Sequence, residues 1–420
     1  MRNKTLSALG ARHYTSCLLV VVMVLMGAEL VATSPAGAGA PLEKVTLRVG
    51  RIPQAQGMTP VTELMRRDKL IEAAGTELGL QITVDLQDFA AGPPIRQALT
   101  GDKLDIGSVG NTPTLIGIAQ GEPFHVLSMA EGGVKFVLAL PPNSPIKTPE
   151  DLKGKKVGIL LATDLQFFFD LSLQALFGTM DYQTLGIEAV GIKALIQGAV
   201  PPQGLAAGTT TETSYLRGQI EKLNTGLFNS YGYTEANYDG PLGKGAGLEL
   251  PAIKKSPYYP EGFYLHRNFW LVTNKAVRTS PKAVVAFLVA QQRALQALAK
   301  MPPEDVARLA QEQWQLDPKV AKDIWLHDLD YRRGWCWLTE GDLRAVVDQS
   351  VLATNAKLIE KPVTWKEMLK NIGPVAPLAK QAWERVKFPD ASAFTAKDAK
   401  DVRGYPIWES DKWELPKKQQ

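Results

Sequence analysis

The sequence predicts an α/β protein of two lobes, each a mostly parallel sheet flanked by helices, with a helical C-terminal extension. Three observations point there. Short β-branched runs alternate with helical patterns from residue 45 onward; the alternation breaks at Pro141-Pro142-Asn143-Ser144-Pro145 and then restarts; and beyond residue 280 the pattern is helical, with all nine tryptophans falling from Trp270 on.

The elements follow in chain order. Residues 45–49 form a strand ending at Gly50. Thr59-Pro60 then offers an N-cap with proline at the first helical position, and Val61, Leu64 and Met65 open an apolar stripe. Residues 82–86 are a second strand, and residues 94–100 a short helix with Gly101 at its C′ position. The third strand, 104–109, runs through Gly110-Asn111-Thr112-Pro113 into a helix over 113–120 closed by Gly121; 126–129 and 136–140 are further strands. Thr148 and Asp151 sit at capping-box spacing and open the second unit, with a strand over 156–161 and a helix over 164–176. The stretch 199–247 is rich in Gly, Pro, Thr and Tyr and yields no firm element. Residues 263–273 form the strand that returns to the first unit. A helix starting at Ser280-Pro281 follows, then helices at 304–315, 318–325, 340–356 (capped by Thr339, with Asp342 at the third helical position) and 365–371. The organisation expected is therefore 41–140 plus 263–388 as lobe I, 144–261 as lobe II, and 389–420 as a surface tail.

Composition narrows the function. With 420 residues, 45% hydrophobic and 21% charged, the chain can build a core, and its two cysteines rule out a disulfide scaffold. A formal charge of +4, without a dense basic run interleaved with aromatics, gives no nucleic-acid footprint. The four histidines show no HxxxH or HxH spacing and no CxxC is present, so neither metal chemistry nor another cofactor is called for.

Arg2, Lys4 and Arg12 precede an apolar run over 17–28, and Ala36-Gly37-Ala38 follows as an A-x-A cleavage pattern. The run is shorter than the roughly 20 residues that span a bilayer. Residues 1–38 are thus expected to be a signal peptide, and the mature protein to be periplasmic with a formal charge of +2 and Cys336 as its one cysteine.

Three junctions at strand ends share one character: Pro53 to Thr59, Gly110 to Pro113, and Ala162 to Asp164. Open α/β sheets bind ligands at the carboxyl ends of their strands, where helix N-termini present unpaired N–H groups and about half a positive charge. Two such lobes facing each other would enclose a small polar ligand.

The motifs VTLRVGRIPQ, LTGDKLDIGSVGNTPTLIGIAQG and KTPEDLKGKKVGI, in this order and followed by a Thr-containing turn into an apolar helix, resemble the periplasmic substrate-binding proteins of the nitrate/sulfonate/taurine ABC-importer family. The similarity covers most of residues 45–177 and, more weakly, 261–298. It implies the type II periplasmic-binding fold, closure on a small organic anion or zwitterion without catalysis, and delivery to an importer permease by what is expected to be a monomer. The family's first-strand loop falls on Arg51, Pro53, Gln54, Gln56 and Gly57, its second on Asn111 and Thr112, and its helix-start polar site on Thr163 and Asp164. Arg51, directly after a strand, is the expected counter-charge. Where sulfonate binders of the family often carry a Gly-Ser-Ser-type turn, this chain has Ala162-Thr163-Asp164, and an acid there answers the helix dipole itself. Tyr231 and Tyr233 are candidates for stacking on an organic tail, and His266 and Arg267 lie on the return crossing.

Two other classes share such a scaffold. A desulfinase-like enzyme would need an activated cysteine, and Cys336 lies between two tryptophans, away from the strand ends. A ligand-sensing extracytoplasmic domain would use the same closed form as an importer component.

Overall fold

A computed structural model describes residues 41–54, 56–132, 137–139, 149–159, 163–191, 204–207, 267–314, 318, 321, 322, 325, 334–395 and 404–415. Two sheets organise it. The first has the order β2-β1-β3-β9-β4, built from β1 (Glu43–Arg51), β2 (Leu80–Asp88), β3 (Ile106–Gly110), β4 (Phe124–Gly132) and β9 (Arg267–Thr273). The second has the order β5-β8-β6-β7, from β5 (Val137–Ala139), β6 (Lys156–Ile159), β7 (Glu188–Gly191) and β8 (Gly204–Ala207). β1 runs parallel to β3, and β6 runs parallel to both β7 and β8. The strands expected over 136–140 and 263–273 are β5 and β9, but both run antiparallel to their neighbours, which the expectation of mostly parallel sheets did not foresee.

The helices that matter here begin at strand ends. α1 (Thr59–Arg67) is followed by α2 (Leu70–Glu77), which the sequence reading did not separate. Thr59 does not cap α1: Met58 is the N-cap, and the Thr59 hydroxyl donates to the Pro53 and Gln56 carbonyls. α3 (Gly92–Thr100) ends at Gly101 with an ordinary φ of −83°, and Asp102 takes the left-handed turn instead, its carboxylate held by Arg48 and Lys275. α4 (Asn111–Ala119) starts on the residue after β3, and Gly121 follows it with φ +68°, as the sequence predicts. In the second unit α5 (Asp164–Phe177) follows β6.

After β9 come α6 (Asn274–Thr279), α7 (Pro281–Leu298), α8 (Pro303–Trp314), α9 (Glu340–Asn355), α10 (Trp365–Ile372) and α11 (Ala376–Val386). α10 carries a full capping box between Thr364 and Glu367. One apolar cluster joins the first sheet to these helices, from Leu47 through Phe287 to Trp413; the second sheet has its own, made of Leu152, Val157, Ile159, Phe169, Leu173, Leu185 and Ile187.

The C-terminal segment departs from the surface tail expected of it. The Ile407 N–H donates to the Leu338 carbonyl, Trp413 lies edge-on to Trp365 at 5.9 Å, and Phe394, Ile407 and Trp413 are buried. Single large side chains inserted between tryptophans need no apolar period along the chain, which is why the sequence pattern is silent there. Among the described residues, no helix is long and apolar enough to cross a membrane and no group of His, Cys, Asp and Glu could hold a metal ion.

Candidate functional site

β1 ends at Arg51, whose side chain is buried. Its Nε donates to Asp88 Oδ1 at 2.8 Å, and its Nη1 donates to Glu63 Oε1 at 2.5 Å and to Thr62 Oγ1 at 3.0 Å. Glu63 also takes Arg66 at 2.7 Å. The expected counter-charge is thus already bonded to two carboxylates, one at the end of β2 and one on α1, and it ties those elements together. Removing a partner from a buried pair like Arg51–Glu63 leaves an uncompensated charge, which is what holds Arg51 there.

The loop after β1 is fixed from below. The Gln56 side chain bonds Ser108 on β3, accepts the Ile52 N–H at 3.4 Å, and its backbone carbonyl accepts from the Trp314 indole at 3.2 Å. Gln54, two residues earlier, is partly exposed.

β3 passes into α4 with no linking residue, which places Asn111 and Thr112 at a helix start. Thr112 donates from both its backbone N–H and its hydroxyl to a single oxygen, Asp164 Oδ1, each at 2.7 Å. Asp164 is the first residue of α5, on the second sheet's side, and is 6% exposed. Its other oxygen lies so close to Gly110 that a Cβ there would come within 1.7 Å of it, so only glycine fits at this position. The sequence-expected pair Asn111–Thr112 and the expected Asp164 are therefore brought together, with Thr163 buried beside them. Asn111 is fully buried; its Nδ2 donates to Gln349 Oε1 on α9 at 2.8 Å, and its Oδ1 has no hydrogen-bond partner.

Arg267 opens β9, is buried, and its Nε lies 3.4 Å from Asp342 Oδ1 at the start of α9. Tyr231, Tyr233 and His266 lie outside the described residues.

No family model matches the sequence. The chain is 37% identical over 79 residues to an aliphatic sulfonates-binding protein of Bacillus subtilis (strain 168), a match covering 19% of this chain and 24% of that protein. It is 30% identical over 137 residues to an aliphatic sulfonates-binding protein of Escherichia coli (strain K12), covering 32% of this chain and 40% of that protein. The matches therefore span less than half the length of either curated relative. In structure it resembles the periplasmic nitrate-binding protein of Synechocystis PCC 6803 with a TM-score of 0.55 at 12% identity, over 86% of this chain and 94% of that one. The fold is that of the periplasmic binding proteins. The resemblance read in the sequence is borne out by these relatives.

On this binding-protein fold, three residues join the site that the sequence reading passed over. Glu131, fully buried on β4, accepts from the Met58 N–H at the start of α1 and from Asn268 Nδ2, both at 3.3 Å. Asn268 is paired across the ladder with Gly110, and Gln349 reaches Asn111 across 238 residues of sequence. A lone acid in the apolar run of β4 is a signal that could have found Glu131; nothing local marks Asn268 or Gln349, whose partners only the fold supplies. The arrangement gathers helix-start N–H groups, amides and carboxylates, which suits the grip of a small polar molecule. Cys336 is fully buried, its N–H donating to Gln292 and its carbonyl accepting from Met129, so it packs as a small apolar residue.

Proposed function

We propose that the protein is an extracytoplasmic solute-binding protein which captures a small organic anion or zwitterion, of the sulfonate, taurine or nitrate kind, and delivers it to an ABC importer permease without chemical change. The single observation that carries this is the junction of β3 with α4: a helix start whose Thr112 N–H and hydroxyl are both directed at a carboxyl oxygen contributed by the helix that follows β6 of the other sheet. A ligand gripped there would touch both units, which is what a protein that closes on its cargo requires. The names of the relatives supply the ligand class, and the export-type N-terminus supplies the periplasmic location. In this reading residues 41–140 with 263–388 form one lobe and 144–261 the other, and Gln54, Gln56, Asn111, Thr112, Thr163, Asp164, Tyr231, Tyr233 and Arg267 face the ligand, with Arg51 bracing the first loop.

Thermal-shift measurement with propane-1-sulfonate, taurine and nitrate tests it. A ligand that binds only the folded state stabilises by RT ln(1 + [L]/Kd), about 2.7 kcal/mol at a hundredfold excess over Kd. A clear rise in midpoint with at least one of the three is expected, and no rise with any of them, at millimolar concentration, would remove this ligand class.

A further inference from the structure

α9 holds two of the residues read above as facing the ligand, and the C-terminal segment is bonded to the start of that helix. Asp342 and Gln349 lie two turns apart, and so on one face of α9. Asp342 Oδ1 is 3.4 Å from Arg267 Nε at the start of β9, and Gln349 Oε1 accepts from Asn111 Nδ2 at 2.8 Å where β3 passes into α4. All four side chains are buried. Arg267 and Asn111, which come from different segments, thus meet on a single helix.

The start of α9 is not closed by its own residues alone. Helix starts leave N–H groups without intrahelical acceptors. Asp342 Oδ2 accepts from the Thr339 N–H and hydroxyl, each at 3.1 Å. The N–H of Glu340, the first residue of the helix, donates instead to the Tyr405 carbonyl at 3.1 Å. Beside it the Ile407 N–H donates to the Leu338 carbonyl at 3.0 Å, and Thr339 and Pro406 form an antiparallel bridge. The Trp413 indole donates to the same Tyr405 carbonyl at 2.9 Å and lies edge-on to Trp365, which ties residues 405–413 across the helix start. One carboxylate, Asp342, therefore serves both the helix start that the C-terminal segment completes and Arg267 on β9. A buried ion pair tolerates little displacement, because water does not compensate a charge that loses its partner.

We propose that residues 404–415 are a positioning strap for the ligand site: they set the start of α9 and, through Asp342 and Gln349, the placement of Arg267 and Asn111. This rests on the solute-binding reading above and adds to it residues that govern affinity through α9.

Calorimetry with propane-1-sulfonate, taurine and nitrate on the wild type, Trp413→Ala and Phe287→Ala tests it. Both variants remove one aromatic ring from the same apolar cluster, but only Trp413 belongs to the strap. For whichever probe the wild type binds, Trp413→Ala is expected to raise Kd about tenfold or more, while Phe287→Ala leaves it within about twofold. An unchanged Kd in Trp413→Ala would overturn the proposal, and so would an equal rise in Phe287→Ala, which would mark the effect as general loss of stability. Binding of none of the three probes by the wild type would remove the solute reading but not the strap, which hydrogen exchange of the Thr112 amide then decides. Faster exchange in Trp413→Ala than in Phe287→Ala supports the strap, and equal exchange overturns it. Should Trp413→Ala fail to fold, Glu340→Pro and Glu340→Ala make the same comparison. Proline is tolerated at the first helical position and lacks the N–H given to Tyr405, whereas alanine keeps it. A larger rise in Kd, or faster Thr112 exchange, with proline than with alanine is expected; equal values would overturn the proposal.

Discussion

The two sheets carry cores of very different kinds. Around the first, one continuous cluster runs from Leu47 on β1 to Trp413 near the end of the described chain, stitched by aromatic contacts such as Trp270 on Phe287 at 4.9 Å and Trp337 on Trp408 at 5.9 Å. Among the described residues, the second rests on seven buried apolar residues, with Phe177 and Tyr182 partly covering them. It also buries a polar pair, Asp170 hydrogen-bonded by the Tyr182 hydroxyl. Among the described residues, the larger share of the apolar burial therefore lies behind the first sheet. Local opening is drawn from regions with few buried apolar contacts, so the smaller described cluster is where exchange protection is expected to be lost first.

Matched substitutions sharpen that contrast. Phe287→Ala, at a side chain 1% exposed, is expected to cost about 3–5 kcal/mol and to lower chemical-denaturation midpoints for the whole protein. Phe169→Ala, 2% exposed in the smaller core, removes the same atoms and is expected to cost about 3 kcal/mol, with a different readout. Amides of β6 and α5 should lose hydrogen-exchange protection while those of β3 and β9 keep theirs. Equal loss across both sheets would show one cooperative unit and end the comparison.

A gentler probe uses one carboxylate on each side. Burial pushes Asp170 up to about 6, against the lowering effect of its bond from Tyr182, and burial likewise pushes Asp348 on α9 up to about 6 against the nearby Arg344. A carboxyl whose folded value lies above its unfolded one keeps its proton longer in the folded state. Stability is then greatest near pH 4, falls as pH rises from about 4 to 6, and levels off above. Each group contributes at most about 1.4 kcal/mol per pH unit to that slope. Asp170→Asn and Asp348→Asn should each flatten part of it, as read by melting temperature across this range. A slope unaltered in both variants would show that neither group retains its proton on burial.

Much of the fold was legible because period and punctuation agree locally. The Gly110-to-Pro113 junction and Gly121 both fall where the residues themselves require a helix start or a left-handed turn. That Asn111, Thr112 and Asp164 lie at strand ends and helix starts was legible for the same reason. The ion pairs of Arg51, expected in sequence as a counter-charge for the ligand, were not legible, because Glu63 and Asp88, 12 and 37 residues on, meet it only in space. Glu131, Asn268 and Gln349 escaped for the complementary reason, since their roles come from ladder register and helix packing between distant segments. The buried C-terminal segment escaped because its anchors, Ile407 and Trp413, act singly.

The position of β9 has a consequence for how the chain is made. It fills the slot between β3 and β4, bonded to both, though it follows β4 by more than a hundred residues. A nascent chain leaving the ribosome can pair β6 with β7 and β8 almost as soon as they emerge. The earlier sheet, although its first four strands are synthesised before any of these, must wait with an open seam until residue 273 is out. The half of the protein that comes first is the half that finishes last.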